Sequence, residues 1–268
     1  MTTVGQKERA TQNRVIKLFQ DRLDYTYLGN WEEEERAIPV EDGLLCAYLA
    51  KAGYSDKEIQ RALVQFYKAQ AIGEGRSLYD ANKAAYEMLR YGVKVKTGVG
   101  RQIKTVWLIN WKEPLKNDFA VAEEVSVKGE NKKRPDIVVY VNGIAVGVLE
   151  LKRSSVSVSE GIRQNIDNQK KTFIRNFFTT MQLVMAGNDT EGLRYGTIDT
   201  KEKYYLTWKE ENPAYNPQVD NRDLKYLPGS EYDGVDSPLD LALLRLCDKE
   251  RLLEMIHDFT VFDTGTKK

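Results

Sequence analysis

Apolar positions recur at helical spacing through the first ninety residues. In RVIKLFQDRL, Val15, Leu18, Phe19 and Arg22 fall at that spacing, with Leu23 close by. Residues 42–52 (DGLLCAYLAKA) predict a second helix ended by Gly53. Ser55-Asp56-Lys57-Glu58 fits a capping box, and a third helix follows to about Gln70. Gly73-Glu74-Gly75 breaks it, and Leu78 to Arg90 predicts a fourth. From Asp24 to Asp42 the chain carries seven acids and one arginine, the pattern of a solvated loop.

The period changes at residue 93. VKVK, IKTVWLINW and FAVAEEVSV alternate with period two and are rich in Val, Ile and Trp. DIVVYV and IAVGVLELK follow, joined by Asn142-Gly143, a strong hairpin signal. Residues 159–177 return to helix, and QLVMAG and KYYLTW read as strands. Residues 210–236 are loop-like. Ser237-Pro238 then opens a helix running to about His257. The order predicts an α/β (α+β) fold with three parts: a helical region 1–92, a strand-rich core 93–210, and a loop with a closing helix over 211–268. Phe173, Phe177 and Phe178 read as core, and Trp107 and Trp111 as strand-end packing.

Composition narrows the chemistry. The 268 residues are 41% apolar and 30% charged, with 40 basic and 40 acidic side chains and no net charge. A globally basic nucleic-acid coat is excluded, but a local basic face is not. No run approaches the ~20 apolar residues of a membrane span. MTTVGQKERATQNR lacks the apolar core of a signal peptide, so a cytoplasmic protein is expected. Cys46 and Cys247 sit far apart in apolar runs and predict two buried hydrophobes rather than a disulfide. The single histidine, His257, excludes multi-histidine metal cages. Catalysis must rest on carboxylates, lysine and a hard metal. No P-loop, G-x-G-x-x-G or G-x-S-x-G motif is present.

One segment carries such chemistry. In RPDIVVYVNGIAVGVLELK, Asp136 opens one hairpin strand and Glu150-Leu151-Lys152 closes the other. Period two puts Glu150 and Lys152 on one face. Two carboxylates plus a backbone carbonyl suit Mg²⁺, and a nearby lysine can neutralise phosphate charge. Register poses a condition. A two-residue loop pairs residues summing to 285 and sets Asp136 opposite Leu149. A site shared by Asp136 and Glu150 therefore predicts a bulge or an odd loop, unless Asp136 lies outside the regular ladder. From Lys128 to Arg175 ten basic residues face five acids, which predicts a basic rim for DNA made by Lys132, Lys133, Arg134, Arg153 and Arg163. The acidic run 24–42 could repel DNA from the wrong face.

Pro135-Asp136 with Glu150-Leu151-Lys152 resembles the PD-(D/E)XK nuclease signature. The longer string RPDIVVYVNGIAVGVLELKRSSVSVSEGIRQNIDNQK closely resembles the nuclease region of the R subunit of type I restriction–modification enzymes. TQNRVIKLF, LRYGVKVK, AGNDTEGLRYGT and HDFTVFDTG resemble other stretches of that subunit. The resemblance implies a mixed central sheet flanked by helices, with Asp136 and Glu150 binding Mg²⁺ and Lys152 as catalytic lysine. It implies a Q-x-x-x-Y element on the next helix. Gln164 fits it, but Asn168 stands where the tyrosine is expected. A glutamate from the first helix is added in some relatives, and Glu8 is the nearest candidate. The family's R subunit continues into an ATP-driven translocase. This chain stops at Lys268 without a Walker motif, so ATP would act only through domains it lacks. Double-stranded DNA and the modification and specificity subunits are the implied partners. A non-catalytic docking module on a degenerate nuclease fold is the alternative, and the intact Asp136, Glu150, Lys152 set argues against it.

Overall fold

The computed structural model describes residues 3–73, 75–96, 98, 102–209, 235 and 237–263. It is mixed α/β. A six-stranded sheet is built from β1 (Thr26–Asn30), β4 (Phe119–Glu123), β5 (Ile137–Val141), β6 (Ile144–Leu151), β7 (Leu183–Asn188) and β8 (Gly192–Gly196), in the order β1-β4-β5-β6-β7-β8. β4, β5 and β6 run antiparallel, while β1 lies parallel to β4 and β7 parallel to β6. β2 (Val93–Val95) and β3 (Lys104–Val106) form a separate antiparallel pair. The helices are α1 (Thr3–Asp21), α2 (Asp42–Lys51), α3 (Asp56–Gln70), α4 (Leu78–Tyr91), α5 (Val158–Asn168), α6 (Pro238–Leu246) and α7 (Lys249–Asp258).

Central strands buried on both faces explain the near-continuous apolar runs of β4 to β7. On one face, Ile137, Val139 and Val141 join a cluster that draws residues from Val15 to Ile256. On the other, Val138 and Tyr140 pack with Val158, Ile162, Phe177 and Phe178. The capping box at Ser55/Glu58 starts α3, and Ser237 caps α6 with Pro238 in its first turn. No helix among the described residues is long and apolar enough to cross a membrane.

Several expectations are corrected. The acidic stretch 24–42 is not all loop: Thr26–Asn30 forms the edge strand β1, stitched to β4 around a bulge at Leu28. The helix expected over 159–177 stops at Asn168 and continues as turns and a 3-10 helix, Arg175–Thr179. KYYLTW is a 3-10 turn followed by one bridge between Tyr195 and Leu206, and the last strand among the described residues lies earlier, at β8. The closing helix is two helices, broken where Asp248 caps α7. The 93–111 strands shrink to three residues each, and Trp107 is 43% exposed instead of packed. Cys46 is only half-buried, whereas Cys247 is fully buried. Most of the 210–236 loop lies outside the described residues.

β6, α5 and β7 form a β-α-β unit whose close packing matters below. An added Cβ at Gly161 would lie 3.0 Å from the Ala186 Cβ, 3.5 Å from Lys152 and 3.6 Å from Glu150. Gly161→Val should therefore lower the thermal midpoint by roughly 2–8 °C, the equivalent of about 1–3 kcal/mol of overpacking. Gly43→Ala, in α2 with open space around it, should leave the midpoint unchanged or raise it. Thermal melts of both variants check this, and equal melting would contradict the tight contact of α5 with the sheet.

Candidate active site

The hairpin loop is the expected two-residue Asn142-Gly143 turn, with φ of 52° and 80° at its two positions. Pairing starts as Val141 with Ile144 and Tyr140 with Ala145. It then shifts, so that Val139 meets Gly147 and Ile137 meets Leu149. Val146 is the extra residue. Its carbonyl accepts from the Gln182 amide at 2.8 Å instead of joining the ladder. The bulge switches the faces of β6. Ile144 and Val146 point into the larger core cluster, but beyond the bulge Val148 points into the other one. Glu150, two residues on, therefore shares a face with Val138 and Asp136. One step past the Ile137–Leu149 pair, Asp136 lies opposite Glu150.

Asp136 accepts the Leu151 amide at 2.6 Å, which fixes its carboxylate against the end of β6. Glu150 has no exposed surface, and one of its carboxyl oxygens accepts from Gln164 Nε2 at 2.6 Å. Asn168 Nδ2 stands 3.5 Å from the other, while its own buried Oδ1 finds no partner among the described residues. Lys152 Nζ lies 3.9 Å from both Glu150 and Glu8. Burial pushes the Asp136 carboxyl up to about 6, against the pull of Lys152 and the Leu151 amide. Burial, then the adjacent Asp136 with which it is within hydrogen-bonding reach, holds the Glu150 carboxyl well above its ordinary range.

Asp136 and Gln164 line a cleft of about 710 Å³ with Glu150 buried behind them, and its other walls include Glu8, Arg9, Gln12, Lys132, Lys133 and Arg134. Of the basic residues expected to meet DNA, those last three line it. Lys132 pairs with Glu35, Arg134 with Glu32 and Glu124, and Lys133 sits over the Phe173 ring at 4.2 Å. Arg153 lines a smaller neighbouring cleft with Arg14 and Asp189. Arg163 is outside both, in a two-pronged pair with Glu202 at 2.9 Å.

Sequence reasoning missed the outer carboxylates. Glu123 is buried and accepts from Arg9, Gln12 and Tyr27, which ties α1 to β4. Glu124 follows with a left-handed φ of 51°, and its amide donates to the Asp136 carbonyl. Two acids ending the FAVAEE run were the available signal. No group of three or more acidic, histidine or cysteine side chains that could hold a metal is found among the described residues. An ion here would have to rely on two carboxylates, water and substrate oxygens, the ligand set that suits Mg²⁺.

Comparison with known proteins settles the family. The model of the type I restriction enzyme R protein N terminus matches residues 5–203. The chain belongs to this family. It is 29% identical over 192 residues to a Methanocaldococcus jannaschii protein assigned as the endonuclease subunit of type I restriction enzyme MjaIXP, covering 68% of this chain and 18% of that one. It is 26% identical over 189 residues to the HindI endonuclease subunit of Haemophilus influenzae, covering 68% and 16%. It is 22% identical over 171 residues to the EcoprrI endonuclease subunit of Escherichia coli, covering 61% and 48%. The chain thus spans between a sixth and a half of these relatives.

The buried acid pair makes a prediction for this R-protein segment without metal. A carboxyl raised above its unfolded value binds extra protons in the folded state, so its stability contribution falls as pH rises from about 4 through about 6. Glu150→Gln removes the carboxyl that is costly to bury in its charged form and keeps an acceptor for Gln164. At pH 7.5 in chelator it should melt roughly 2–8 °C above wild type, an effect on the order of 1–3 kcal/mol. The gain should shrink toward pH 5. Melting at or below the wild-type temperature at pH 7.5 would contradict an electrostatically strained pair.

Proposed function

We propose that this chain is the nuclease module of a type I restriction enzyme R subunit, and that it hydrolyses phosphodiesters of double-stranded DNA with Mg²⁺. One observation carries the reading: a bulge aligns Asp136 with Glu150 at a cleft, with Lys152 and Gln164 in reach. The donor set fits the ion. Glu150 is buried and Asp136 partly so; two carboxyls this close repel when both are charged, and a divalent cation relieves that repulsion. When bound, Mg²⁺ would supply Lewis-acid charge to the phosphate and make water a better nucleophile.

The remaining work falls to the chain. The Leu151 amide and the Gln164 amide set the rotamers of Asp136 and Glu150, so the two carboxylates converge without rearrangement. Lys152 sits beside Glu150, where its ammonium faces charge developing on the phosphoryl oxygens and assists the attacking water. Glu8 comes from α1 to within 3.9 Å of the same ammonium and keeps it near the pair. Lys132, Lys133 and Arg134 at the cleft mouth hold the DNA backbone, a contact that carries no sequence information. Recognition of a DNA site therefore belongs to the specificity subunit of the complex, with the modification subunit as the other partner. The setting is the cytoplasm.

Asp136→Ala and Lys152→Ala should each lower DNA cleavage by the complete restriction complex by about a thousandfold or more, with the fold and complex assembly retained. Plasmid cleavage in Mg²⁺, with circular dichroism of each variant, reads this out. Full cleavage by either variant would remove that residue from the site. Full cleavage by both would favour the docking-module alternative.

A further inference from the structure

The cleft has the wrong charge for a polyanion. Five carboxylates line it (Glu8, Glu32, Glu33, Glu124 and Asp136) against four cations (Arg9, Lys132, Lys133 and Arg134). Two of the five come from the Glu32–Glu35 run, a hundred residues away in sequence. That run is pinned at both ends. The Trp31 amide donates to the Glu123 carbonyl at 2.9 Å, and the Arg36 amide to the Ser126 carbonyl at 2.8 Å. The Arg36 guanidinium covers the Trp31 ring at 3.7 Å, and the Ser126 hydroxyl donates to the Glu32 carbonyl at 2.6 Å.

Between these anchors two of the four glutamates reach cations expected to hold DNA, while Glu34 turns back to Arg36 at 2.9 Å. Glu32 pairs with Arg134, and Glu35 with Lys132 at 3.1 Å. All four partners are about half exposed. Ion pairs this wet add little to stability. Stability therefore does not account for a run of four glutamates, two of them lining the cleft, where like charges also repel one another. Their geometry is that of a competitor: carboxylates stand where phosphates would have to sit.

Resting on the nuclease reading, we infer that Glu32–Glu35 is an acidic strap that keeps Lys132 and Arg134 occupied, and that DNA phosphates must displace its side chains before the cleft admits a duplex. The backbone anchors stay, and only the side chains turn out to solvent. The strap sets a threshold. A duplex held against the cleft at high local concentration displaces it, and a duplex met by chance in solution does so poorly. The exchange also blunts salt dependence, because the freed glutamates recruit cations as the phosphates release theirs.

The test is binding of a short labelled duplex, followed by anisotropy across a salt series with Ca²⁺ replacing Mg²⁺ to prevent cleavage. The intact chain is compared with a variant carrying Glu32→Gln, Glu33→Gln, Glu34→Gln and Glu35→Gln. A charge control carries Glu87→Gln, Glu113→Gln, Glu250→Gln and Glu254→Gln, four exposed acids that do not line the cleft. The strap variant should bind roughly tenfold tighter than wild type, with a salt slope steeper by about two. The control should gain no more than about twofold, and adding Lys132→Ala and Arg134→Ala to the strap variant should erase its gain. The pair Glu32→Gln with Glu35→Gln serves if the fourfold change disturbs the fold. A strap variant no tighter than the control overturns the strap and leaves the DNA reading standing. Absence of duplex binding by every protein overturns both.

Discussion

Asp136, just before β5, and Glu150, in the antiparallel β6, meet at the inner wall of the cleft, Glu150 fully buried and Asp136 facing the opening. Two carboxylates in that setting are costly, because burial and mutual repulsion both oppose their charged forms. Nearby groups are arranged to hold the pair. The Leu151 amide fixes one acid, Gln164 fixes the other, and the Lys152 ammonium lies close by. The small Gly161 lets α5 approach β6 and β7 closely enough for Gln164 to reach. A strained charge pair with one open side is a poor device for stability and a good one for binding a cation.

The helical N-terminal segment belongs to this arrangement. Through Arg9 and Gln12, α1 grips the buried Glu123 at the end of β4, and Glu8 is thereby delivered to the cleft. Farther along, Arg14 joins Asp189 after β7 to Asp240 on α6. The helix thus links the cleft end of the sheet to the closing helices, and the cleft wall is assembled from segments more than a hundred residues apart.

Much of this was legible in the chain. The PD and ELK elements, their fourteen-residue separation and the Asn142-Gly143 turn pointed to the candidate site, and called for an irregularity in the hairpin unless Asp136 lay outside the ladder. A local pattern could not place the bulge, because IAVGVL is apolar on both sides of Val146 and the alternation that would reveal a face switch is absent. The charge of the cleft was misread for a related reason. A sequence window from 128 to 175 sums to a basic rim, but folding brings Glu32 and Glu35 onto Lys132 and Arg134. β1 was hidden within that same acidic stretch, its strand character carried by only five residues at a sheet edge. The KYYLTW run failed differently. Its aromatic residues flank one bridge and a turn, and the ladder position beside β7 is taken by the less apolar β8.

The central claim is that the bulged hairpin makes one cation site from Asp136 and Glu150. Crystals of the chain grown with Mn²⁺ and measured at the manganese absorption edge test it most directly. The account predicts an anomalous peak between the two carboxyl groups, ~2.1–2.2 Å from an oxygen of each, that is lost in Asp136→Asn. A peak elsewhere, or none at a Mn²⁺ concentration that supports DNA cleavage by the complete complex, would contradict it.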